Sequence, residues 1–241
     1  MDALLVRERY KVVRVLDARE DYAFAEAVDI LDREQRACLL NIYEGPWLRA
    51  YLPCFDRMRS CSAFQGMFLE DESLVTVFED CRGRPIDQVF FRGAAMDWRL
   101  RLDYAGQLLH HALNMADLPA QVSCAAMLSE NVLISENDNE VRLRFKVVPM
   151  EGMNPRELVY LTGDQLGKIL LPQFSTPVEQ LDFLDELRRG ECATIVQLYS
   201  LWRERRGQLQ AAYEGLEAKN FVHRWASLLW GRVKRSMRGA R

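Results

Sequence analysis

The chain has no uninterrupted apolar run of about 18 residues, the length a helix needs to cross a bilayer, so no transmembrane segment is expected within it. Its six cysteines (Cys38, Cys54, Cys61, Cys81, Cys124 and Cys192) show no C-x-x-C spacing. That excludes the common zinc-finger and thioredoxin-type arrangements. Reduced, partly buried thiols in a cytoplasmic protein are expected instead. Histidine is scarce, at three residues. His110 and His111 are adjacent on a helical stretch, where side chains point about 100° apart and do not converge on one ion. His223 stands alone. H-E-x-x-H is absent, and no serine carries nucleophile-elbow glycines. Asp2, Arg7, Glu8, Arg9 and Lys11 break up the N-terminus, so no secretory leader is expected. No internal repeat and no low-complexity linker interrupts the chain.

Acidic residues are missing from Ala218 onward, where seven Lys and Arg side chains occur. The residues before Ala218 hold 25 basic and 35 acidic side chains. An acidic body with a basic tail argues against a broad nucleic-acid footprint, and no nucleic-acid partner is expected. At 241 residues, the chain is long enough for one large domain or two packed halves with real cores.

Alternation predicts a first strand at 10–16, a returning strand reads at 23–30 and a next one at 37–43, with a polar turn at 32–36. Apolar residues at helical spacing (Leu48, Leu52, Phe55, Met58) predict a helix over 47–61. A hairpin follows, 64–69 and 74–78, joined by Glu70-Asp71-Glu72. The segment 79–84, with Gly83, reads as a hinge, 86–91 as a short helix, and 98–113 as a long helix whose inner face is Leu102, Ala105, Leu109 and Leu113. Then come the segment Cys124–Ile134, a polar turn at 135–140, a strand at 141–147 and a helix at 158–171. Helices are expected over 176–190, capped by Thr176 and stopped by Gly190, and over 193–205. A last basic helix is expected over 208–241.

The sequence CAAMLSENVLI, at 124–134, resembles a protein-kinase catalytic loop, H-R-D-L-K-P-x-N-I-L, with its chemistry removed. Set on Asn131, the comparison places Ala126 at the catalytic Asp and Leu128 at the Lys. The other landmarks fall in the family's order, and each is degenerate. The stretch DAREDY, at 17–22, takes the place of the glycine-rich loop and contains no glycine. Its acids would repel a triphosphate that the family cradles with backbone N–H groups. Asn41 takes the place of the phosphate-gripping Lys, and no Glu is available on the 47–61 helix to pair with it. Phe145 takes the place of the metal-binding Asp. The helix at 158–171 is similar to the one anchoring the family's large lobe. Its Asp would be Asp164, or one position out of register, and its role would be to hold the loop's backbone.

The resemblance covers roughly 10–171. It implies an α+β, two-lobed kinase-like architecture: a small antiparallel sheet lobe (1–83), a shortened helical lobe (84–207) and a basic amphipathic helix (208–241). With all five phosphoryl-transfer groups missing, it implies a pseudokinase, an inactive module acting as a scaffold or regulator through a protein partner. No cofactor, metal or bound nucleotide is expected. An apolar slot lined by Val15, Leu39 and Val77 would mark the emptied cleft. Two readings compete: a phosphotransferase or nucleotidyl transferase using Glu130, Glu136 or Asp138, and a helical interaction protein unrelated to kinases.

In the last helix, Val222, Trp225, Ala226, Leu229, Val233 and Met237 form a stripe. Arg224, Lys234, Arg235, Arg238 and Arg241 lie mainly off it. Two readings follow. The stripe packs on the large lobe, or Trp225, Trp230, Arg232, Lys234, Arg235 and Arg238 contact a partner or an anionic membrane surface, at the inner face of the membrane. The chain is also similar to kinase-like cytosolic domains of membrane-tethered proteins, including a component of bacterial type VII secretion machines, which implies the same setting.

Overall fold

Strand-forming alternation at the start of the chain produces an antiparallel sheet whose two faces are both buried in part. The computed structural model describes residues 4–239. β1 (Leu5–Val6), β2 (Tyr10–Arg19), β3 (Tyr22–Asp29), β4 (Ala37–Tyr43), β5 (Phe64–Glu70) and β6 (Ser73–Glu79) form one sheet in the order β1-β2-β3-β4-β6-β5. The strand β2 runs on through Asp17–Arg19, so the expected loop at 17–22 shrinks to a two-residue turn, Glu20-Asp21. The hairpin between β5 and β6 turns on Asp71 and Glu72 alone. Both have positive φ (45° and 63°), the pattern that matches the twist of a tight hairpin.

The helix α1 (Gly45–Asp56) covers one face of the sheet, packing Tyr51 and Phe55 inward. The opposite face carries a small cluster of Tyr10, Ala27, Cys38, Leu40, Val75 and Val77. Because side chains alternate along a strand, Leu39 and Leu40 point to opposite faces. Leu39 pairs with Phe78 and Leu40 with Val77. Leu39 and Val77 therefore cannot line a common slot, and Val15 is exposed.

After β6, the chain crosses to a second, three-stranded sheet, β7 (Arg84–Pro85), β8 (Val132–Ser135) and β9 (Glu140–Leu143), in the order β7-β8-β9. Gly83 permits that crossing. A Cβ there would sit 2.9 Å from Leu133 Cβ and 3.0 Å from the Ile134 carbonyl oxygen. The remaining helices are α2 (Ile86–Val89), α3 (Trp98–Met115), α4 (Ala120–Ala126), α5 (Pro155–Ile169), α6 (Val178–Arg189), α7 (Ile195–Glu217) and α8 (Phe221–Gly239). One continuous apolar core joins the sheet's inner face to these helices. It runs from Phe24, Leu39 and Phe78 through Leu102 and Leu109 to Phe183 and Trp202.

Three expectations change here. The strand expected at 141–147 ends at Leu143. Pro177, not Thr176, is the residue before α6; Thr176 Oγ1 instead accepts from the Gln173 N–H. The boundary expected at 207–208 falls inside α7, whose helix continues to Glu217, so the final helix begins at Phe221. Gly190 does end α6 in the left-handed region (φ 65°). The chain is α+β, and no helix among the described residues is long and apolar enough to cross a membrane.

Candidate functional site

Asn41 and Asn131 both bind the segment 145–147, from the sheet and from the end of α4. Asn41 is fully buried on β4, facing the helices. Its Oδ1 accepts from the Val147 N–H (2.8 Å) and the Tyr22 hydroxyl (3.0 Å), and its Nδ2 donates to the Phe145 carbonyl (3.0 Å). An amide suits this spot because it both donates and accepts. A lysine ammonium only donates, and would meet the Val147 N–H and Tyr22 O–H with nothing to offer them. Two further tyrosines extend the seam. Tyr43 donates to the Val147 carbonyl at 2.7 Å, and the Tyr51 oxygen accepts from the Met150 N–H at 2.8 Å. Burial raises the hydroxyl pKa of both, Tyr51's to about 12, so the phenols stay protonated.

Phe145 is buried and stacks on Phe78 of β6, with ring centroids 4.9 Å apart and planes 5° from parallel. Ala126 is buried as the last residue of α4, so the loop expected there is helical where the resemblance puts the acid. Asn131, also buried, donates from Nδ2 to the Ala125 carbonyl (2.7 Å) and the Lys146 carbonyl (2.9 Å). It ties the end of α4 to the crossing segment. Its Oδ1 has no hydrogen-bond partner among the described residues.

Lys146 joins the two sides by charge. Its Nζ lies 2.9 Å from Asp17 Oδ2 on β2 and 2.9 Å from Glu130 Oε2. Lys146, and secondarily Arg19, hold the Asp17 carboxyl below its usual range. Asp17 is thus not a free charge facing a ligand but one end of a bridge. The acids of the competing enzymatic reading are similarly engaged: Glu130 with Lys146, Glu136 with Arg84 at 3.0 Å, and Asp138 with Arg142. Among the described residues, no group of three or more His, Cys, Asp or Glu side chains is arranged to hold a metal ion.

The loop-holding role falls one position from Asp164. That carboxylate is half-exposed and pairs with Lys168 at 3.4 Å. Gln165, which is buried, donates from Nε2 to the Met127 carbonyl at 3.1 Å. Sequence reasoning missed Lys146 and the three tyrosines. The only sign was a lysine set in an otherwise apolar stretch, FKVV.

Two clefts are found among the described residues, and the first of them reaches Phe145. One, of about 1280 Å³, is lined by Cys61, Cys81, His110, His111 and Glu140 among others; the second, of about 700 Å³, lies between α5 and α6, with Tyr160 and Arg188 on its wall. Neither is lined by Asn41, Ala126 or Asn131.

On α8 the expected contacts divide. Trp230 and Lys234 are exposed and Trp225 is partly covered by Phe174. Arg232 and Arg235 are not free for a partner. Arg232 donates to the Phe174 carbonyl at 2.9 Å, and Arg235 pairs with Asp182 at 2.9 Å and with Asp185. Arg241 and the side chain of Arg238 lie outside the described residues. No protein-family model and no curated protein matches the chain.

Proposed function

We propose that this protein is a kinase-like module that has lost phosphoryl transfer and acts by binding, as a scaffold or regulator in a larger assembly. The observation carrying the reading is the hydrogen-bonded seam at Asn41. The positions that in the resembling family grip phosphate and metal are spent here on joining the sheet to the helices. Asn41, Phe145 and Lys146 close the place where a triphosphate would lie. Phosphoryl transfer depends on positioned charge, and Asp17 and Glu130 are both paired with Lys146 there.

The order of elements supports the kinase-like frame. Four antiparallel strands, one helix and a hairpin precede a glycine crossing, followed by a helical half in which a small sheet carries the Asn131 segment. A protein partner is the natural ligand of such a module. Val13 and Val15 of β2 and Leu69 of β5 offer exposed apolar side chains at the two sides of the sheet.

The test is a thermal-shift titration with ATP, with and without magnesium or manganese. A ligand at a hundredfold excess over its dissociation constant stabilises the folded state by about 2.7 kcal/mol. The expected result is no shift at millimolar nucleotide. A metal-dependent rise in Tm would overturn the reading and favour an active transferase using the acids at 130, 136 or 138.

A further inference from the structure

Helix α8 docks on the body through the side opposite its apolar stripe. The contacts inward are Arg224, Leu228, Gly231, Arg232 and Arg235, spaced three and four residues apart and so on one face. Leu228 is buried, and a Cβ on Gly231 would lie 3.6 Å from Val178. Arg224 Nε donates to the Leu216 carbonyl at 3.0 Å, and Arg232 and Arg235 fasten the helix to the Phe174 turn and to α6. About half a turn away, Val222 (72% exposed), Leu229, Trp230 (69%), Val233 and Met237 (56%) face outward. A helix that packs by its arginines and turns its apolar residues to solvent is inverted relative to an ordinary surface helix.

We infer that this outward face is a docking surface for a bilayer containing anionic lipids, with α8 lying in the interface plane and the body held above it. Charge decides between a membrane and a second apolar protein surface. The outward stripe is bordered by Lys234, and the helix has no carboxylate to oppose lipid phosphates. Asp182 and Asp185, the acids nearest the helix, are paired with Arg235. The rest of the body is acidic and would be repelled, so only α8 can approach. Trp230 at the edge of the stripe suits the headgroup layer, where an indole buries its ring and keeps its N–H wet. Phe174, exposed and packed on Trp225, extends the same apolar rim. The surface is separate from the Asn41 seam, so nucleotide binding in the thermal-shift test and vesicle binding here fail independently.

The experiment is co-sedimentation of the full chain with phosphatidylcholine vesicles, with and without phosphatidylglycerol, read together with tryptophan emission. The expected result is binding to the anionic vesicles that weakens with salt, with a blue shift of the emission. Val233→Glu and Leu229→Glu, at exposed positions that leave the fold intact by circular dichroism, should abolish binding. Lys234→Glu, a change of two unit charges, should weaken it roughly twenty-five-fold, since each unit charge near an anionic surface is worth about fivefold. No binding to either vesicle, or binding indifferent to Val233→Glu, overturns the inference. So does dimerisation, seen by sedimentation velocity, that Val233→Glu removes while vesicles stay unbound.

Discussion

Asn41 and Val147 meet across the junction between sheet and helices, the Val147 N–H donating to Asn41 Oδ1 at 2.8 Å. The same amide serves Phe145 and Tyr22, so one side chain satisfies three buried groups. Asn41→Leu keeps the volume and strands all three. Each orphaned group costs about 1–3 kcal/mol, so a stability loss of roughly 3 kcal/mol or more is expected by urea denaturation. A loss under about 1 kcal/mol would mean that the seam relaxes or hydrates easily.

An acid at position 145 should not be tolerated. Phe145→Asp removes a ring stacked on Phe78 and places a carboxylate in an apolar pocket. Losing a buried phenylalanine alone costs about 3–5 kcal/mol, and the unpaired charge adds to it. Partial or complete unfolding by circular dichroism is expected.

The Lys146 bridge makes a pH-dependent contribution. Asp17 is held below the usual carboxylate range, chiefly by Lys146. A depressed folded pKa means stability present above the unfolded value of about 3.9 and lost as pH falls through the folded one. The wild type should therefore exceed Lys146→Met in stability by most at neutral pH. The gap should close below about pH 4, in denaturation curves collected across that range. A gap that stays constant down to pH 2 or so would remove Asp17 from the account.

Burial pushes the Cys38 thiol up to about 12 and those of Cys81 and Cys124 up to about 11. The thiolate is the reactive form. In the native protein at about pH 8, these three should react with Ellman's reagent orders of magnitude more slowly than in urea. All six cysteines should titrate once the chain is unfolded. Fast native reaction at Cys38 would contradict its burial.

The residue that holds the segment after α4 is tested by a pair of variants. Gln165→Ala leaves the buried Met127 carbonyl without its donor and should cost about 1–3 kcal/mol. Asp164→Asn, at an exposed position, should cost under about 0.5 kcal/mol. The reverse order would restore the role to Asp164.

Strand and helix positions were legible from local pattern, because strands such as β4 and β6, buried on both faces, read as short apolar runs between turns, and one-sided burial gives α3 and α5 their 3.6-residue spacing. So was the neutrality of positions 41, 126 and 145, since it needs only the residue types. The exact register was not: Gln165 rather than Asp164 faces the backbone it holds, and α7 runs through the boundary expected at 207. Helical pattern tolerates a shift of one residue and fixes no loop-side partner.

The sequence by itself determined that this chain is α+β, sets neutral side chains at positions 41, 126 and 145, and carries a basic, tryptophan-bearing last helix. Only the tertiary structure decided what Asn41 and Phe145 contact and which face of α8 is outward. Asn41 meets residues more than a hundred positions away. Arg232 and Arg235 find partners on α6 and the turn before it, and so displace the apolar stripe they were expected to flank. Pairings at that separation depend on which surfaces the whole chain brings together, and no local periodicity encodes them.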